Sequence, residues 1–139
     1  MNAFFTLVLA AATSLSAWAE DVSDSVIRVA STIQSFNPSQ PWDKKAPVKR
    51  RALGAILSNK QVLTTAEMVA NANFIQLETA DGQIQVPAQV IAVDYEANLA
   101  LLEPIADNDK ETISKLPGLE LAEPAHLGDS VDIVQIEDN

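Results

Sequence analysis

At 139 residues the chain has room for one domain. Nine Lys and Arg stand against nineteen Asp and Glu, and the net charge of −10 argues against nucleic acid or anionic lipid as a partner. Cysteine is absent, so stability must come from a buried core rather than from disulfides.

Residues 1–19 read as a secretory signal peptide. Residues 3–12 are an apolar run interrupted only by Thr6, and Ala17-Trp18-Ala19 supplies an A-x-A cleavage site, although no Lys or Arg precedes the run. Cleavage after Ala19 would leave a mature domain of residues 20–139 in the periplasm or outside the cell. The apolar run is short for a membrane span, and no later segment is long and apolar enough to form one.

Residues 26–34 alternate and are rich in β-branched side chains, which predicts a strand. Residues 37–51 hold Pro38, Pro41 and Pro47 together with Lys44, Lys45, Lys49, Arg50 and Arg51. Each proline fixes φ and removes a donor, so residues 37–47 are expected to be irregular. This segment is either a solvated loop or a docking loop for an acidic partner, which could be another copy of the chain. Residues 53–57 predict a second strand, and Gly54 within it marks a close approach or a bulge. Residues 58–60 form a turn, and residues 62–65 are the returning strand.

Ala66, Glu67 and Met68 favour a helical turn over residues 66–70. Residues 74–79 alternate, with Ile75 and Leu77 on one face. Asp81-Gly82 predicts a hairpin into a long strand over 84–93, with Pro87 at an edge or a bulge. Residues 99–103 are almost wholly apolar and suggest a strand buried on both sides. Residues 104–117 read as a polar excursion, 119–121 as a brief strand, 126–129 as a turn and 131–136 as the last strand. Seven or eight short strands with little helix mean an all-β sandwich or barrel.

Val62-Leu63-Thr64-Thr65-Ala66, the Asp81-Gly82 hairpin, Asn98-Leu99-Ala100-Leu101-Leu102 and Leu127-Gly128-Asp129-Ser130-Val131 follow one another in an informative order. From about residue 25 to residue 136 the chain resembles the first barrel of trypsin-like serine proteases of the HtrA/Deg type. The resemblance implies a six-to-seven-stranded antiparallel Greek-key barrel, one half of a two-barrel unit, with the helical turn at 66–70. In that family a strand ending in Leu-Thr-Ala-Ala leads into the catalytic His, and an Asp-(Ile/Leu)-Ala-Leu-(Ile/Leu) segment carries the Asp that orients it.

The departures fall on the chemistry. The His position is Glu67, the Asp position is Asn98, and the Gly-Asn-Ser-Gly-Gly nucleophile motif does not occur in the chain. Glu137-Asp138-Asn139 stands where the family has Gly-Asn-Pro. A solvated glutamate is a weak base for a serine hydroxyl at neutral pH, and Asn98 has no charge with which to steady a protonated partner. His126 lies in a turn without the strand that precedes a catalytic histidine, and a lone His does not make a zinc site. Asp107 and Asp109 lack the spacing of a calcium loop. No cofactor or metal is expected.

These observations lead to the expectation of a non-catalytic, protease-like module of the cell envelope, binding or scaffolding in protein quality control. Its partner would be a protein or peptide, or a second barrel or subunit covering an exposed apolar face, with a PDZ domain following in relatives of this layout. Two other functions compete. One is an active serine endopeptidase formed as part of a longer chain. The other is a small secreted barrel that binds a ligand or partner, which would show a central apolar cavity.

Overall fold

The computed structural model describes residues 22–136. The signal-peptide reading and the Glu137-Asp138-Asn139 departure lie outside the described residues.

Eight strands and two short helices follow in order: β1 (Val26–Ile33), β2 (Phe36–Asn37), β3 (Gln40–Lys44), β4 (Val48–Ile56), β5 (Val62–Thr64), α1 (Ala66–Val69), β6 (Phe74–Glu78), β7 (Gln85–Asp94), β8 (Leu99–Pro104) and α2 (Asp107–Ser114). Six of the strands close into an antiparallel barrel in the order β1-β4-β5-β8-β7-β6. The connection from β5 to β6 crosses the barrel end, so that β6 returns beside β1. That is the Greek-key arrangement expected from the sequence.

The alternation of apolar residues sets which way each strand faces. Ile27, Val29, Leu77, Leu102, Ile56 and Val62 are almost completely buried and fill the barrel interior. The interior is therefore a packed core. Gly54 lets β4 and β5 approach closely. A Cβ added there would lie 2.8 Å from Val62 Cγ1 and 3.0 Å from Val29 Cγ2.

Several sequence expectations need correction. The proline-rich segment is not wholly irregular, because β2 and β3 pair as a two-stranded arm outside the barrel. Pro41 is tolerated there because β3 has a neighbour on one side only. β4 starts at Val48, so Lys49, Arg50 and Arg51 belong to a strand paired with Thr32, Ser31 and Ala30. β8 alternates between fully buried positions and an outward side that is exposed at Leu99 and half-buried at Leu101 and Glu103, instead of being buried on both sides.

Pro87 sits at a local edge, not at the bulge. Its carbonyl accepts the Ile105 N–H (3.1 Å), just past the end of the β7–β8 ladder, so the missing N–H faces a place where no bond is required. The bulge lies further on, at Ile91 between Val90 and Ala92.

The excursion after β8 contains a helix. Of the residues in α2 only Ile113 is buried; it enters the core at the barrel end, so the helix shows no apolar stripe in sequence. Asp107 and Asp109 in its first turn suit the helix dipole. Leu119 makes one parallel bridge to Leu57 and not a full strand. Residues 131–136 form no strand and lie mostly exposed, since a closed barrel offers them no free edge.

Candidate functional site

At one end of the barrel, β5 runs into α1 and the β7–β8 turn folds over it. Thr64 closes β5 from inside: it is buried, and its hydroxyl donates to the Leu53 carbonyl (3.1 Å). Thr65 then turns the chain with extended dihedrals, and Ala66–Val69 forms a single helical turn with Ala66, Met68 and Val69 buried. Glu67 is the residue of that turn that faces water.

The turn opposite is built by Asp94, whose carboxylate accepts the backbone N–H groups of Glu96 (2.9 Å) and Ala97 (3.0 Å). Such self-bonding turns are characteristic of Asp and Asn. Asn98 follows in the left-handed region at φ 54°, a conformation Asn tolerates better than most residues.

The two positions singled out in the sequence meet here. Asn98 Oδ1 accepts the backbone N–H of Glu67 (3.1 Å), and the Asn98 carbonyl accepts the N–H of Ala66 (3.2 Å). A helix leaves its first N–H groups without intrahelical partners, and here Asn98 takes two of them. Arg50, from β4, donates from Nη1 to the Glu67 carbonyl (3.4 Å). Its role at this end was not visible in the sequence, because the register that carries it there depends on the early start of β4.

This arrangement positions backbone and not a proton relay. Asn98 Oδ1 is already bonded to an amide, and its remaining group is an NH2, a donor and not an acceptor. Among the described residues nothing hydrogen-bonds the Glu67 carboxylate or that NH2 group. The hydroxyl of Thr64, at the end of β5, is already committed to Leu53. His126 lies far along the chain in an exposed turn, where its own N–H bonds Asp129 (2.7 Å). No group of three or more His, Cys, Asp and Glu among the described residues is arranged to hold a metal.

"Protease Do-like 4, mitochondrial" of Arabidopsis thaliana is 32% identical over 110 residues, covering 79% of this chain and 21% of that protein. "Putative protease Do-like 3, mitochondrial" of the same plant is 32% identical over 111 residues, covering 80% and 19%. The described residues form a trypsin-like protease barrel of the HtrA/Deg type. Among solved structures, an HtrA-type protease, an AlgW variant with a decapeptide, superposes with a TM-score of 0.60 at 21% identity, over 84% of this chain and 39% of that one. AlgW with a tripeptide superposes with a TM-score of 0.53 at 21% identity, over 75% and 28%. No family profile matches the chain. The chain spans about a fifth of the length of these curated relatives of the HtrA/Deg type.

Proposed function

We infer that this chain acts as a non-catalytic, HtrA/Deg-like module, exported to the cell envelope, that binds or scaffolds protein in quality control. The observation that carries the reading is the Glu67–Asn98 pair. The resemblance implies that they stand where the family has the general base and its orienting acid, yet the pair holds backbone together and offers no imidazole and no carboxylate to steady one. Loss of a triad member typically costs several powers of ten in rate. The β7–β8 end of the barrel supports a binding role. Ile91, Val93, Tyr95 and Leu99 are each more than two-fifths exposed, a surface suited to a second barrel or another subunit.

The test uses the protein isolated from its own cell envelope at whatever length it has there. Its mature N-terminus is sequenced, and it is assayed for casein cleavage and for labelling by a fluorophosphonate. The expected result is a chain starting at Glu20 with neither activity. Cleavage or labelling that disappears in a Glu67→Gln variant would overturn the reading.

A further inference from the structure

The charge of this chain is segregated. Residues 36–51 hold five cations and one acid, Asp43, whereas the rest of the chain holds four cations and eighteen acids. The β2–β3 arm and the start of β4 carry this basic region, and every residue from 38 to 51 is exposed. Ion pairing does not consume it. Lys44, Lys45, Lys49 and Arg51 have no carboxylate partner among the described residues.

The arm is also sided. Phe36 stands opposite Lys44 in the β2–β3 register, and the ammonium of Lys44 lies 5.7 Å from the centre of the Phe36 ring. Trp42, two residues before Lys44, shares that face by strand alternation, whereas Asp43 takes the other. Phe36 is 59% exposed and Trp42 83%, so two aromatic rings and a cation face water together. The base of the arm is fixed. The Lys45 N–H donates to the Ser35 carbonyl (2.9 Å), and Gln34 Nε2 donates to the Lys45 carbonyl (3.1 Å). Lys49 and Arg51 pair with Thr32 and Ala30, which alternate with the buried Ser31 and Val29, so they stand on the outer wall of the barrel at the foot of the arm.

We propose that the arm is a docking site for an extended, acidic segment of a different polypeptide, one that carries apolar side chains between its carboxylates. The apolar side chains pack on Trp42 and Phe36, while the carboxylates meet Lys44, Lys45, Lys49 and Arg51. Among the described residues β3 has β2 as its one strand partner, which leaves an edge beside which an extended segment can lie. Charge decides between a peptide and a membrane. A peptide lying on the arm is screened from charges more than about 10 Å away at 0.1 M salt, and meets a cationic surface. A flat anionic bilayer or a nucleic acid presents its charge to the whole molecule, whose balance is −10. Docking on the arm uses neither the Glu67 carboxylate nor the Asn98 side chain, so it holds whether or not the chain cleaves protein.

The test uses the protein at its native length and two fluorescein-labelled peptides of about ten residues, one alternating Glu with Val and the other Lys with Val. Fluorescence anisotropy is expected to show binding of the acidic peptide alone, weakened at least about tenfold between about 0.05 M and about 0.5 M salt. A variant with Lys44→Glu and Lys45→Glu is expected to bind at least about tenfold more weakly. Trp42→Ala, which changes no charge, is expected to bind about threefold more weakly. Both variants change the arm outside the barrel, and circular dichroism checks that each keeps its fold. Binding is also expected to shift tryptophan emission to the blue, a shift missing from Trp42→Phe. No binding of the acidic peptide, equal binding of the basic one, or an affinity unchanged by the arm variants would overturn the proposal. Arm-dependent co-sedimentation with phosphatidylglycerol vesicles, without peptide binding, would overturn it in favour of a lipid surface. The casein and fluorophosphonate assays do not depend on the arm, so a failure here is distinct from a failure there.

Discussion

Replacing Asn98 with alanine removes two things at once. The first is the side-chain acceptor for the Glu67 N–H, a bond of 3.1 Å at the start of α1. Losing a cap of this kind typically costs about 1 kcal/mol. The second is a residue type suited to φ 54°. An ordinary L-residue in the left-handed region costs roughly another 1 kcal/mol. The backbone bond from Ala66 N–H to the Asn98 carbonyl remains in place, so the expected loss for Asn98→Ala is about 2 kcal/mol, or a fall of ~8 °C in midpoint for a domain of this size.

Two companion variants separate the contributions. Asn98→Gly relieves the dihedral and loses only the acceptor, for a cost of about 1 kcal/mol. Asn98→Asp keeps the acceptor and is expected within about 0.5 kcal/mol of the parent, since a carboxylate is favoured at a helix start while Asp94 and Glu96 stand close by in sequence. Urea unfolding followed by far-ultraviolet circular dichroism gives the three values, provided the denaturant slope stays constant. If Asn98→Ala costs under ~0.5 kcal/mol, or if glycine is as damaging as alanine, then Asn98 is not the cap of this turn.

Gly54→Ala is expected to destabilise by about 1–3 kcal/mol in the same unfolding assay, because its methyl would enter the space of Val62 and Val29 in a closed barrel that yields little. Asp81 supplies a pH prediction. The Thr79 hydroxyl and then the Gln83 N–H hold its carboxyl below the ordinary value of 3.8. A lowered folded-state value stabilises above the unfolded value, and that contribution disappears as pH falls through the folded value. Asp81→Asn should therefore flatten stability against pH below about 4 while leaving the slope near pH 7 unchanged, as read by thermal midpoints across that range.

The barrel was legible because two signals agreed along most of the chain. Alternation marked residues 26–34 as a strand and put Ile75 and Leu77 on one face, which the structure buries, and turn chemistry at 58–60 and at Asp81-Gly82 separated the strands. The pairing of Glu67 with Asn98 was legible only through the ordered resemblance, since nothing local to either residue points at the other. Where the sequence misled, the cause was tertiary. Lys49, Arg50 and Arg51 look like loop residues, yet β1 extends far enough to pair with them. α2 has one buried residue, Ile113, and a helix anchored at a single point leaves no period to read. Residues 131–136 have a good strand pattern, but pattern says nothing about whether an edge is free, and closure had already used every edge of the barrel itself.

That closure depends on one strand. β1 bonds β4 along one side and β6 along the other, so it is the stave that turns a five-stranded sheet into a cylinder. Its partners stand far down the chain, with Arg28 opposite Glu78, and such distant pairings make for slow folding with the ring completed late. Without β1 the other five strands would be an open sheet whose two rims, on β4 and β6, present rows of unsatisfied amides and carbonyls. Those rims invite pairing with any neighbouring chain. Removing the chain beyond Val26 would therefore leave an open sheet with exposed rims on β4 and β6, at a cost in solubility.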